Sequence, residues 1–164
     1  NKERIDQMLE ESSMVILTGG HVPTQNAFFK RIGLPEKIKD FEGVVMGISA
    51  GSMNAAKIVY ALPENPGESV DPEYDRFPTG LGLTEIHMCP HYQMVKDWVL
   101  DGRRLFEEIA FEDSFGRRFQ AFVDGSYVVS ENGKNVLYGE TYEIKDGKMK
   151  KICEKDEKIV LTYL

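Results

Sequence analysis

Apolar and polar positions change their rhythm partway along the chain. Ile5, Met8 and Leu9 recur at helical spacing and predict a short amphipathic helix over 3–12. Met14-Val15-Ile16-Leu17 is a continuous apolar run closed by Thr18-Gly19-Gly20, the pattern of a buried parallel strand ending in a glycine turn. A helix over 24–32 follows, and Gly33 stops it. Val44 to Ile48 repeats the apolar run and predicts a second buried strand, with a helix over 50–60 behind it. Residues 61–79 hold Pro63, Pro66, Pro72 and Pro78 and read as a surface loop, long enough to suggest a role in function. A strand over 83–88 and a long helix over 94–110 come next, the helix carrying Val95, Trp98, Val99, Leu105, Phe106 and Ile109 on its apolar side. From Phe119 onward the period shortens to that of strands. Runs at 119–123, 126–130, 135–138, 141–145 and 158–163 are punctuated by Asn132-Gly133 and Asp146-Gly147, both hairpin signals. Helix alternating with strand, then hairpins, predicts an α/β fold. A mostly parallel central sheet would be flanked by helices, with antiparallel hairpins toward the C-terminal end, in one domain over 1–164. No internal repeat or low-complexity tract interrupts the pattern.

Composition narrows the function classes. With 41% hydrophobic and 29% charged residues, the 164-residue chain has the balance of an ordinary globular domain. The net charge of −7 argues against nucleic acid as a partner, and the basic pairs Arg103-Arg104, Arg117-Arg118 and Lys150-Lys151 each lie close to acidic residues. No apolar run approaches the ~18 residues that span a bilayer, so no membrane association is expected. The charged start, Asn1 to Arg4, lacks the apolar stretch of a signal peptide, and the expected location is the cytoplasm. Cys89 and Cys153 form no metal pattern and are expected as free thiols. Neither metal nor cofactor is expected.

The chemistry concentrates at two glycine turns and one histidine. Gly47-Ile48-Ser49-Ala50-Gly51 fits G-x-S-x-G between an apolar strand and an Ala-rich helix, the setting of a nucleophile elbow. Glycines two residues either side relieve the crowding of a strained serine backbone, and the Ala50 N–H is placed to stabilise an oxyanion. The alternative is a plain tight turn with a serine N-cap. Gly19-Gly20 also closes a strand, and two parallel strands would bring it beside Ser49, where Gly20 or His21 N–H becomes a second oxyanion donor. A serine hydroxyl needs a base, and the chain offers His21, His87 and His91. His91 is the choice: it follows a strand in Cys89-Pro90-His91-Tyr92, on a loop that Pro90 restrains. His21 is better placed to touch substrate, and His87 to pack or face solvent. Asp124, where the run Phe122-Val123 ends, would orient the imidazole, although Asp124-Gly125 also reads as a hairpin turn.

Gly19-Gly20, Gly47 to Gly51, Pro90-His91-Tyr92 and Asp124-Gly125-Ser126, in this order, resemble the peptidase E and cyanophycinase family of serine peptidases. The stretch from Val123 to Gly133 is similar to that family's acid-bearing turn and following hairpin. The resemblance implies the class I glutamine amidotransferase-like, flavodoxin-like fold, with serine in place of the usual cysteine at the elbow. It implies Ser49 as nucleophile, His91 as general base and Asp124 as orienting acid. Gly20 and Ala50 would be oxyanion donors, and Gly19 and His21 would sit in the same substrate-binding turn. It further implies dipeptidase-like hydrolysis of short peptides through an acyl-enzyme, with a short peptide and a second copy of the chain as partners. The order Ser, His, acid separates this reading from α/β-hydrolases, whose histidine comes last. Relative to the family the chain lacks one or two βα units before residue 14, and His21 stands where Asn or Asp is more usual. Lys96, Arg103 and Arg104 are the basic residues after His91 available to an acidic substrate side chain. An amidase or esterase on the same fold, or a catalytically silent binding or regulatory homologue, are the alternatives. A glutamine amidotransferase proper is disfavoured because neither cysteine sits on an elbow.

Overall fold

The apolar runs near the start of the chain form two strands of one small parallel sheet. The computed structural model describes residues 2–162, with side chains from residue 4, so the last position of the strand expected over 158–163 lies outside the described residues. Two compact units are present, Asn1–Ala61 with Asp75–His87, and Leu62–Tyr74 with Met88–Leu164. The first contains α1 (Lys2–Glu11), β1 (Met14–Leu17), α2 (Val22–Ile32), α3 (Leu34–Lys37), β2 (Val44–Gly47) and α4 (Ala50–Asn54). β1 and β2 are parallel, with Met14 opposite Val44 and Leu17 opposite Gly47. Side chains alternate between faces, so Val15, Leu17 and Val45 pack with Leu9, Phe29, Leu34, Ile38 and Leu81 in one cluster. On the other face Met14, Ile16, Val44, Met46 and Ile48 remain 44–63% exposed. Both strands were expected to be buried, and each is buried on one side only. α2 ends as its sequence predicts, at Gly33 in the left-handed conformation with its N–H turned back to Phe29 and Lys30 carbonyls.

A buried amide network ties α2 to α4. Asn26 Nδ2 donates to Asn54 Oδ1 (2.9 Å) and to the Thr79 carbonyl (2.9 Å), while Asn54 Nδ2 donates to Gln25 Oε1 (3.0 Å) and the Val22 carbonyl (3.2 Å). Asn54 is fully buried, so each of these bonds replaces one to water. The helix expected over 50–60 stops at Asn54. Beyond it the chain runs extended, with N–H groups of Lys57, Val59 and Ala61 donating to carbonyls of Thr84, Pro78 and Arg76 (2.8 Å each). Ile58, Val59 and Tyr60 are residues that favour extended backbone, and pairing with 76–84 outweighs the helical start. That pairing also occupies Thr84, and the strand expected over 83–88 is confined to β3 (His87–Cys89).

The second unit departs furthest from expectation between 94 and 110. In place of one helix there are α5 (Tyr92–Val95), β4 (Val99–Leu100), β5 (Arg103–Arg104), a π-helical stretch (Leu105–Ala110) and α6 (Phe111–Asp113). Asp101 and Gly102 have φ of 51° and 80°, a tight hairpin turn that an Asp-Gly pair favours, and Leu105 N–H donates to the Trp98 carbonyl across it (2.9 Å). Leu105, Phe106 and Ile109 are buried as expected, but Trp98 and Val99 are exposed. The hairpin region forms β6 (Arg118–Phe122), β7 (Tyr127–Glu131), β8 (Lys134–Tyr138), β9 (Thr141–Lys145), β10 (Lys148–Cys153) and β11 (Lys158–Leu161). β10 was not expected; its lysines at 148, 150 and 151 and an irregularity in the register between Lys151 and Cys153 leave Met149, Ile152 and Cys153 without the alternation that marks a strand. Strand orders are β10-β9-β6-β3 and β11-β8-β7. The β4–β5, β6–β9, β9–β10, β7–β8 and β8–β11 ladders are antiparallel, so parallel pairing has a smaller share than the sequence implied. β6 and β7 lie in different sheets, and Asp124-Gly125 is therefore a corner between sheets, not a hairpin turn.

Within this unit the proline-rich segment is clasped by Asp101. Its carboxylate accepts from Gly67 N–H (2.7 Å), Ser69 N–H (3.1 Å) and the Ser69 hydroxyl (2.7 Å). The Gly67 N–H first, and the Ser69 hydroxyl next, hold the carboxyl below the usual carboxylate range. A depressed carboxyl stabilises above its ordinary pKa and loses that contribution as pH falls through the lowered value. Amide-exchange protection at Gly67 and Ser69 will therefore be present at neutral pH and lost in acid, and Asp101→Asn will weaken it at neutral pH and remove its pH dependence. In the first unit, Asn54→Ala strips partners from the buried Asn26 amide and the half-buried Gln25 amide and will cost about 3 kcal/mol in urea unfolding.

Candidate active site

The serine turn is built by steric contact. A Cβ on Gly51 would lie 2.1 Å from the Leu17 carbonyl oxygen, and one on Gly47 would lie 2.6 Å from Ser52 Cα. Only glycine permits α4 to start against β1 and to follow β2 so sharply. Between them Ser49 holds φ 52°, ψ −119°, a conformation a side chain resists at a cost of about 1–3 kcal/mol. The ladder continues into the turn through Ile48 N–H to the Leu17 carbonyl (2.9 Å), and the Ser52 hydroxyl donates to the Ser49 carbonyl (2.6 Å). The N–H groups of Gly51, Ser52 and Met53 bond to the carbonyls of Ile48 and Ser49. No hydrogen bond from the N–H of buried Ala50 is seen among the described residues.

The second glycine turn stands beside the first. A Cβ on Gly19 would be 3.4 Å from Ser49 Cβ and 3.8 Å from its Oγ, which follows from Leu17 and Gly47 being paired at the ends of parallel strands. Gln25 Nε2 donates to the Thr18 carbonyl (2.7 Å) while its Oε1 accepts from Asn54. One side chain thus links the turn after β1 to the helix that carries the serine. His21, at the start of α2, places Nδ1 2.7 Å from the Thr24 hydroxyl.

His91 and Asp124 meet in the second unit. His91 Nδ1–H donates to Asp124 Oδ1 at 2.6 Å, with the two side chains 41% and 47% exposed. His91 is left-handed (φ 60°, ψ 28°) and precedes α5, whose Met94 and Val95 N–H groups bond to its carbonyl. Gln93 Oε1 accepts the Asp124 N–H at 3.0 Å. A carboxylate on Nδ1 leaves Nε2 as the nitrogen able to accept a proton. Ser49, Gly19, Gly20, His21 and Ala50 thus belong to the first unit, and His91 with Asp124 to the second.

The remaining candidates sort by their partners. Arg103 pairs with Glu112 (2.5 Å) and Arg104 with Glu107 (2.7 Å), so both guanidinium groups already hold carboxylates, whereas Lys96 is exposed. Cys89 and Cys153 are free and buried; burial first, then Asp113, pushes the Cys89 thiol far up, and burial raises Cys153. Neither offers a thiolate. Among the described residues no cluster of three His, Cys, Asp or Glu could hold a metal ion, and no helix is long and apolar enough to cross a membrane. Gln25, Asn26, Asn54 and Gln93 were missed from the sequence, where single amides on short helices carry no distinguishing pattern.

Comparison with solved structures finds a peptidase E protein of Listeria monocytogenes EGD-e, 16% identical, with a TM-score of 0.50 over 92% of this chain and 64% of that one. The likeness is one of fold, and the chain spans under two thirds of that protein's length. No curated protein matches. The sequence profile of peptidase family S51 matches residues 1–138, which includes both glycine turns, His91 and Asp124, and the chain belongs to that family.

Proposed function

We propose that the chain is a serine peptidase acting on short peptides, with Ser49 as nucleophile, His91 as general base and Asp124 as the acid that orients it. The observation carrying this reading is the Ser49 backbone, kept in a strained conformation between two glycines that admit no side chain. Strain of this kind at a half-buried polar residue fits a nucleophile better than a structural cap. In the proposed reaction His91 Nε2 takes the hydroxyl proton as Ser49 Oγ attacks the peptide carbonyl. The N–H groups of Ala50 and of Gly20 or His21 hold the oxyanion, and the imidazolium returns its proton to the leaving amine. Water then attacks the acyl-enzyme by the same route, releasing the acid and restoring Ser49. Asp124, on Nδ1, fixes the tautomer and balances the transient positive charge.

Membership of family S51 supports the reaction class, and the short His91–Asp124 bond supports the assignment of base and acid. With Arg103 and Arg104 engaged by glutamates, Lys96 is the remaining basic candidate for an acidic substrate side chain. Buried free thiols fit a reducing compartment, in keeping with the cytoplasm.

Ser49→Ala will reduce dipeptide hydrolysis by about 10⁴-fold or more, with an unaltered circular dichroism spectrum, and will no longer be labelled by a fluorophosphonate. Full turnover by that variant defeats the assignment, and a folded wild type that takes no label favours a silent homologue. Ser49→Gly will be equally inactive yet more stable than Ser49→Ala by about 1 kcal/mol in denaturant titration, because glycine accepts the turn conformation without strain.

A further inference from the structure

Asp124 performs its role only if its carboxylate stays on the imidazole while the imidazole changes charge. The turn that carries it is well held on one side. Val123 N–H and the Ser126 hydroxyl both donate to the Glu140 carbonyl (3.1 and 2.9 Å), and Ser126 N–H donates to the Val123 carbonyl (3.0 Å). These bonds fix the corner between β6 and β7 to the segment before β9, and none reaches the segment that carries His91.

Two hydrogen bonds join Asp124 to residues 91–95. One is the His91–Asp124 bond itself, the other is Asp124 N–H to Gln93 Oε1. The first is a poor structural tie. Both side chains are close to half exposed, so water competes for each end, and its strength varies as the ring gains and loses a proton. The second is exposed as well, but neither of its partners changes charge during the reaction. It uses backbone at one end and a neutral acceptor at the other, two residues along the same short helix from the base. Together they close a ring: imidazole, carboxylate, Asp124 backbone, Gln93 amide and the α5 backbone. Displacement of the Asp124 backbone away from His91 has to break both.

We propose that Gln93 is a positioning residue: by accepting the Asp124 N–H it holds the carboxylate on His91 Nδ1. The role requires an acceptor at this point and no donor. For catalysis the inference rests on His91 being the general base, while for geometry it stands on the two bonds alone.

The test compares Gln93→Met, which keeps length and helix propensity but removes the acceptor, with Gln93→Glu, which restores one. Two readouts are needed: steady-state kinetics on a dipeptide, and the downfield ¹H resonance of the His91 Nδ1 proton. Gln93→Met is expected to lower kcat by about ten- to a hundredfold, the scale of a small misplacement of a catalytic group, with KM within about twofold. Its Nδ1 proton resonance will broaden through exchange with water. Gln93→Glu is expected to recover the resonance and most of kcat. If Gln93→Met, shown folded by its thermal transition, keeps both resonance and kcat, the proposal is overturned. Equal loss in both folded variants overturns it as well, because the acceptor would then not be what matters. Should the wild type prove inactive while the resonance is lost in Gln93→Met and recovered in Gln93→Glu, the pinning stands and the hydrolase reading falls.

Discussion

The approach of Gly51 to the Leu17 carbonyl oxygen sets the geometry of the first unit. A methyl group at residue 51 would overlap the backbone of β1, so α4 begins in contact with the neighbouring strand, leaving Ser49 no room to relax. From this one contact follow the pairing of β1 with β2 up to Gly47, the placement of Gly19 against Ser49 and the need for something to hold α4 down. The Asn26–Asn54–Gln25 amides do that, and they reach back through Gln25 to the Thr18 carbonyl. Both glycine turns are thus braced by one amide network, buried at Asn26 and Asn54 and exposed where Gln25 meets Thr18.

The second unit solves a different problem by different means. His91 and Asp124 come from segments 33 residues apart and meet on a surface open to water, where a carboxylate–imidazole contact alone is weak. Backbone constraint substitutes for burial. His91 is fixed in a left-handed conformation by the start of α5, and Asp124 by a corner whose other side is fastened at Glu140. The serine turn and the His91–Asp124 pair are each built within their own unit.

How much of this was legible depended on the range of the forces involved. β1, β2 and the turns after them could be read because a short apolar run bounded by glycine has few other uses. α2 was read to its last residue from Gly33. Ser49, His91 and Asp124 were reached by motif context and family likeness, and the structure joins the last two by a hydrogen bond. Residues 55–60 misled because the segment that pairs with them, 76–84, lies on the far side of a proline-rich loop; a local helical pattern cannot announce a distant partner. The helix expected over 94–110 was a misjudged turn: Asp101-Gly102 was as good a hairpin signal as Asp146-Gly147 but lay inside an apolar periodicity that outweighed it. β10 was concealed by lysines. The bracing amides left no trace, because the worth of an Asn or Gln depends on what it meets.

The uncovered side of β1 and β2 has a consequence of another kind. Parallel strands ordinarily hide both faces, and here five large side chains stay in water on one. Contact between molecules through such a surface needs no unfolding, so association at high concentration can proceed while the core stays intact. Crowded solutions would be expected to reveal that before heat does.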